Sequence, residues 1–286
     1  MSVGFIGLGN IGRPMALQLL KLGEQLWVYD LAAAPVAELT ARGARPAADA
    51  REIAAHCGIV GVCVRDETEV NALLHGESGL LGHMAPDSVI AVHSTVTQAA
   101  ILRWARAAHD HGVHLIDAPV TGGAAAAETA TLTYMVGGEP PVIERCRALF
   151  MSSGKKLIHA GPVGAGILLK LCNNLMAYAA LAAVHEADRL ARAGGLDPAL
   201  LGEVGRSNGV VTAQMEAFLA NRTRLAATGA QTLRQAFAPF AALARKDLAA
   251  ALASADALQL ALPATERVAE IIEAVFLHQD HSRTLS

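Results

Sequence analysis

The stretch VGFIGLGNIGRPM, residues 3–15, decides the fold. Val3–Ile6 is a short apolar run that ends in a glycine, and Met15, Leu19 and Leu22 then recur at helical spacing. Between them Gly7-Leu8-Gly9-Asn10-Ile11-Gly12 has the spacing G-x-G-x-x-G. Such a triplet alone is weak evidence. After a strand, at the opening of a helix and inside a strand–helix–strand unit it reads as a dinucleotide turn. Gly7 permits the tight turn, Gly9 lets the backbone approach a pyrophosphate, and Gly12 lets helix pack on strand. The amide-rich helix start receives the phosphate charge. The plain alternative is a glycine turn with no ligand.

The next apolar run, Leu26–Tyr29, stops at Asp30, where a carboxylate can accept bonds from both hydroxyls of an adenosine ribose. A carboxylate there repels a 2′-phosphate, and Leu31, Ala32 and Ala33 offer no arginine to bind one. Arg42 and Arg45 lie too far along the chain. NAD is therefore the expected cofactor rather than NADP, the alternative for Asp30 being a cap on the following helix.

Working outward, apolar runs at 59–64, 89–93 and 113–118 alternate with helical patterns near 36–41, 50–55, 67–74 and 99–111. Runs at 132–136 and 156–158 follow, separated by a helix starting near Pro140. Short apolar strands alternating with helices predict an α/β fold of the Rossmann type, a doubly wound parallel sheet covered on both faces. After Gly161 strand-like runs disappear. Residues 166–193 hold no proline and no glycine after Gly166, which predicts one long helix, stopped by Gly194, Gly195 and Pro198. The expected division is a dinucleotide-binding domain at 1–162 and an all-helical substrate and oligomerisation domain at 163–286.

Composition narrows the function classes. Of 286 residues 53% are apolar, 17% charged and 4% aromatic, and the net charge is −3. This argues against disorder and gives no electrostatic reason for nucleic acid or an anionic membrane as partner. The apolar stretches 175–184 and 248–262 read as too short or, at Ser254 and Asp256, too interrupted to span a bilayer. Cys57, Cys63, Cys146 and Cys172 show no metal-ligand spacing, and the first strand begins almost at Met1, so reduced thiols and a cytoplasmic location are expected. His109, Asp110, His111 and His114 fall at a helix end and read as a solvated turn rather than a metal site. Cys57 and Cys63 read as small core residues, Trp27 and Trp104 as packing residues, His185 and Glu186 as structural or interface residues, and Asp256 and Glu266 as solvated.

Two further segments carry chemistry. DAPVTGG, residues 117–123, leaves a strand at the edge where open α/β sheets bind ligands, and its glycines expose amides that suit a carboxylate. In GPVGAGILLKLCNN, residues 161–174, Lys170 and Asn174 are four apart and share a helix face among Ile167, Leu168, Leu169, Leu171 and Leu175. A lysine among such neighbours is expected to be desolvated, with its pKa brought down toward acid/base range, unless it snorkels to solvent.

GFIGLGNIGRPMA, DAPVTGG, GPVGAGILLKLCNN and Lys246-Asp247-Leu248, in this order, resemble the β-hydroxyacid dehydrogenase family over nearly the whole chain. The resemblance implies NAD-dependent hydride transfer to or from a small β-hydroxy acid, with Lys170 as acid/base and Asn174 orienting the hydroxyl. It places Thr121, Gly122 and Gly123 on the substrate carboxylate, Thr95 beside the nicotinamide ribose, and the backbone of Val64 and Arg65 along the adenosine. Lys246 would close over cofactor and substrate, and the protein would be a homodimer or homotetramer. Four positions depart from the family pattern: Thr121 for serine, Ala130 for glycine, Arg65 for proline, and His93 before Ser94-Thr95. Residues 206–214, with Ser207, Asn208 and Gln214, are the expected part of the pocket wall. An imine reductase would carry an acidic or aromatic residue at Lys170, and a decarboxylating 6-phosphogluconate dehydrogenase would need a longer helical domain. A non-catalytic dinucleotide-binding protein would show damage at the lysine or the glycine loop.

Overall fold

The apolar runs of the first half become strands of one sheet in the computed structural model, which describes residues 2–278. In chain order the elements are β1 (Val3–Ile6), α1 (Gly12–Leu20), β2 (Leu26–Tyr29), α2 (Ala33–Ala41), β3 (Arg45–Pro46), α3 (Ala50–His56), β4 (Ile59–Val62), α4 (Glu67–Leu74), β5 (Val89–Val92), α5 (Gln98–Asp110) and β6 (His114–Asp117). Next come β7 (Val120–Thr121), α6 (Gly123–Glu128), β8 (Leu132–Gly137), α7 (Pro140–Arg145), α8 (Arg147–Ser153) and β9 (Gly154–Gly161). Among the described residues five helices follow: α9 (Ala165–Ala193), α10 (Pro198–Asn208), α11 (Ala213–Ala227), α12 (Ala230–Ala257) and α13 (Pro263–Leu277).

The sheet order is β3-β2-β1-β4-β5-β6-β8-β7, with β9 on β8. From β3 to β6 every pair is parallel. Alternate residues feed two cores: Phe5 and Val28 pack under one face, Ile6, Val60 and Val62 under the other, which is why these strands read as continuous apolar runs. The order reverses between β1 and β4, so the connections leaving those two strands diverge and open a crevice at their carboxyl ends.

The Rossmann-type parallel sheet is as expected, with an added feature at its far edge, where β8 runs antiparallel to β6 and β7. A strand buried on both faces is an apolar run in either direction, so its composition cannot reveal its sense. The two-residue strands β3 and β7 left no periodic trace.

Ala130, where the family pattern leads one to expect glycine, sits at φ +54°, in the left-handed region. A Cβ there costs about 1–2 kcal/mol. Ala130→Gly is therefore expected to stabilise the protein by about 0.5–1 kcal/mol once glycine's extra unfolded-state entropy is subtracted. Denaturant unfolding measures it, and a destabilised variant would contradict the strain.

His93 is buried against Phe5, Tyr134 and Phe150, with Nδ1 2.8 Å from the Ala118 carbonyl oxygen. Burial pulls its pKa from 6.5 down to about 4. Between those values the unfolded chain binds the extra proton, so the stability this residue contributes is complete above 6.5 and is lost as pH falls through 4. His93→Phe is expected to lose less stability than the parent on going from pH 6.5 to pH 4.5 in urea titrations. Equal losses in the two proteins would contradict this.

The compact units of the chain meet between Lys170 and Leu171, inside α9, so that the first turns of that helix belong with the sheet. In the second unit Met215, Phe218, Ala244, Leu248, Ile272 and Phe276 form the core. Arg222 is wholly buried there, donating to His185 Nδ1 at 2.6 Å and to the Val275 carbonyl at 2.9 Å, with its guanidinium over Phe218. Burial and the Arg222 charge hold His185 down near 4. This neutral imidazole is a structural acceptor, whereas Glu186 is exposed.

α9 is long and apolar enough to cross a membrane by length and composition, which corrects the view that no stretch approaches that length. Its first turn is bonded to a buried carboxylate of the sheet, described below.

Candidate active site

Register brings the ligand-binding candidates to one edge. Tyr29 pairs with Ile6, Ile6 with Val62, Val62 with Val92, and Val92 with Asp117, so five parallel strands end in a single transverse row. Gly7, Asp30, Val64, Arg65, Thr95 and the 121–123 loop all lie within six residues past that row.

The glycine turn has a different physical reason at each position. Gly7 has φ +92°, and a Cβ on it would lie 2.3 Å from the Cys63 carbonyl oxygen. On Gly12 a Cβ would lie 2.0 Å from the Gly7 carbonyl oxygen. On Gly9 it would meet nothing within 4 Å, so no protein atom requires glycine there. An open face on the middle glycine is what a bound pyrophosphate needs. α3, α4 and α5 are capped by Asp49, Asp66 and Thr97; α1 has no side-chain cap at Ile11, and Arg13 N donates to the Gly9 carbonyl at 3.0 Å, so an anion here would rest on turn amides before Arg13. These residues fit a dinucleotide.

Asp30 braces this turn: one carboxylate oxygen accepts from Leu8 N at 2.5 Å, the other from Ala32 N at 2.7 Å. The Ser94 hydroxyl donates to the Val64 carbonyl at 2.7 Å and accepts from Val64 N at 3.0 Å, fastening the loop after β4 to that after β5. Arg65 is exposed and paired with Glu69 at 2.6 Å, while Thr95 is half-buried.

On the substrate loop Thr121 ends β7, and Gly122 (φ +125°) and Gly123 (φ +72°) adopt conformations that side chains resist. Their amides open α6. Lys170 is half-buried, one turn before Asn174 on α9.

Two residues given no role from sequence prove central. Asp117, with none of its surface exposed, accepts from Gly164 N at 2.7 Å and Ile167 N at 2.6 Å and so ties the end of β6 to the first turn of α9. In the second unit Asp247 accepts from Asn174 Nδ2 at 2.8 Å and the Tyr178 hydroxyl at 3.0 Å, with Lys246 Nζ at 2.9 Å. The only hint in the sequence was that each is the acid within its motif.

Other candidates resolve into structure. Burial pushes the Cys57 thiol up to about 12. Trp104 donates to Asn71, Trp27 stacks on His56, and His114 bonds Asp87. Asp256 and Glu266 are exposed. Arg206 pairs with Glu216, tying α10 to α11, while Ser207, Asn208 and Gln214 are exposed. No group of three His, Cys, Asp or Glu side chains is placed to hold a metal among the described residues.

Comparison with known proteins agrees with this geometry. Residues 2–161 match the family described as the NAD-binding domain of 6-phosphogluconate dehydrogenase. Residues 164–285 match that described as NAD-binding of NADP-dependent 3-hydroxyisobutyrate dehydrogenase. The chain is 38% identical to an NAD-dependent L-serine dehydrogenase of Pseudomonas aeruginosa over 72% of this chain and 69% of that one. It is 35% identical to 2-hydroxy-3-oxopropionate reductase of Escherichia coli, over 95% and 90%. A solved 3-hydroxyisobutyrate dehydrogenase of Mycobacterium tuberculosis, carrying L-serine, superposes with a TM-score of 0.83 at 26% identity, covering 96% of this chain and 97% of that one. Fold and glycine turn define an NAD-dependent oxidoreductase. The chain belongs to the β-hydroxyacid dehydrogenase family.

The three glycines are separable by experiment. Gly9→Ala is expected to keep the stability of the parent within about 0.5 kcal/mol while NAD affinity falls at least about tenfold. Gly12→Ala, whose Cβ strikes backbone, is expected to lose about 1–3 kcal/mol. Calorimetric NAD titration and thermal melts read both, and an unchanged NAD affinity in Gly9→Ala would contradict the cradle.

Proposed function

We propose that the protein oxidises a small β-hydroxy acid and, in reverse, reduces the corresponding semialdehyde or 3-keto acid, with Lys170 exchanging the hydroxyl proton. The observation that carries this is the shared edge: the glycine turn, Thr95 and the 121–123 loop follow strand ends in one register row, and Asp117, in that row, bonds the helix turn leading to Lys170. The relatives support the class. Those named for L-serine, 3-hydroxyisobutyrate and 2-hydroxy-3-oxopropionate handle compounds with a carboxylate and an oxygen on the β carbon.

NAD, when bound on Gly7–Gly12 and Asp30, supplies the hydride acceptor. The chain's own residues do the rest. The Thr121 hydroxyl and the amides of Gly122 and Gly123 hold the substrate carboxylate, replacing its water with fixed donors. Lys170 Nζ takes the hydroxyl proton during oxidation and returns it during reduction. Asn174, its amide held by Asp247, orients that hydroxyl. Thr95 borders the nicotinamide ribose, Val64 and Arg65 the adenosine, and Lys246 completes the ligand set. The extra methyl of Thr121 narrows the carboxylate end of the pocket. Much of the rate comes from positioning the reacting carbon.

We also assign a homodimer or homotetramer. Leu190, Leu196, Leu200 and Val204, on α9, the turn after it and α10, are 76%, 60%, 50% and 60% exposed, an apolar surface that suits a second copy. Light scattering should return two or four chain masses, and a single mass would refute this.

The test of the activity follows nicotinamide absorbance with NAD and, separately, NADP. The substrates are 3-hydroxyisobutyrate, L-serine, glycerate, 3-hydroxypropionate, threonate and phenylserine. Turnover with NAD is expected on at least one of them, with kcat lower by about 10²–10⁴ in Lys170→Ala. Turnover untouched by the substitution, or NAD binding with no turnover on any substrate, would overturn the proposal.

A further inference from the structure

Helix caps are usually local: Asp49, Asp66 and Thr97 each accept from an amide three residues on. α9 is capped differently. The carboxylate at its first turn comes from Asp117, 47 residues before Gly164 and 50 before Ile167. One oxygen accepts from Gly164 N at 2.7 Å, the other from Ile167 N at 2.6 Å.

The surroundings are shaped to this carboxylate. A Cβ on Gly137 would lie 2.5 Å from one Asp117 oxygen. On Gly166 it would lie 2.9 Å from the other and 2.5 Å from the Met135 carbonyl oxygen. Gly164, at φ +90°, turns its amide inward. Asp117 also begins the segment that reaches the Thr121–Gly123 loop four residues later, and Ile167 precedes Lys170 by three. One side chain therefore sets both the exit of the substrate loop and the first turn of the helix that bears the proton-transfer group. A cap serving stability alone would need neither the long-range span nor the second element.

We infer that Asp117 is a positioning residue for catalysis, holding Lys170 in register with the substrate loop through the two amides of the first turn of α9. This rests on the assignment of Lys170 above. Buried between two amides, the carboxylate cannot move without carrying the helix turn with it, and a misplacement near 1 Å at a reacting group costs about a hundredfold in rate. The glycine turn that binds NAD stands on other strands and does not depend on this contact.

The experiment is a double-mutant cycle on the full-length protein with the best substrate of the panel, comparing Asp117→Asn, Lys170→Ala and the double variant. The amide keeps the shape but offers one acceptor where two amides need one each. Asp117→Asn is expected to bind NAD with affinity within about twofold of the parent while kcat falls about tenfold to a hundredfold. The double variant is expected to be no slower than Lys170→Ala, because a residue that acts through Lys170 has nothing left to position. Gly166→Ala keeps the carboxylate and its charge but forces the helix turn off it. It reads the same loss if the asparagine variant does not accumulate as folded protein. A folded Asp117→Asn or Gly166→Ala with parental kcat overturns the inference, as does a double variant whose losses simply multiply. If Lys170→Ala itself keeps parental kcat, the assignment of Lys170 has failed and the inference falls with it. If Lys170→Ala is impaired and Asp117→Asn is not, only the inference has failed.

Discussion

Asp117 ends β6 with a carboxylate that has no surface in water, and the start of α9 is built around it. Withdrawing such a group from solvent is expensive, and burial raises its pKa to about 6 even with the backbone amides that bond it pulling the other way. Those amides and the positive end of a long helix favour the charged form, so the element that the carboxylate anchors also limits the rise. Neighbouring backbone comes close to it, which is why glycine stands at 137 and 166, while Gly164 is needed for its φ of +90°. The GPVGAG sequence before the long helix is the imprint of this contact.

A second constraint acts across the sheet. Because β1, β2, β4, β5 and β6 are parallel and end in one row, each connection leaves at the same edge, and the residue just past each strand is available to a ligand or to a neighbouring loop. Gly7 shapes the turn, Gly9 leaves its face open, Asp30 braces it, Ser94 fastens two loops, and Asp117 reaches the helix. In the second unit Asp247, on α12, does comparable work, bonding Asn174 and Tyr178 of α9 and the neighbouring Lys246. In each unit a buried acid orders polar groups that lie far from it in sequence.

What could be read from sequence was what is local. Strand positions, the glycine turn, the long helix and the Lys170–Asn174 stripe each depend on residues within a few turns of one another, so periodicity and spacing exposed them. Asp117 and Asp247 act on partners 47 to 73 residues away, and nothing in their immediate sequence announces where those partners lie. The sense of β8 was hidden because burial on both faces erases direction. Ala130 shows the reverse situation: the expected glycine is absent, yet the backbone still adopts a glycine-like conformation. Tertiary contacts there outweigh a local preference of about 1–2 kcal/mol.

The account turns on where a substrate hydroxyl lies relative to Lys170. The most direct measurement is a crystal structure of the protein with NAD and the acid it turns over best. The hydroxyl oxygen is expected within about 3 Å of Lys170 Nζ, with the carboxylate on the amides of Gly122 and Gly123. A carboxylate bound elsewhere, or a hydroxyl facing a different side chain with Lys170 pointing away, would contradict the account.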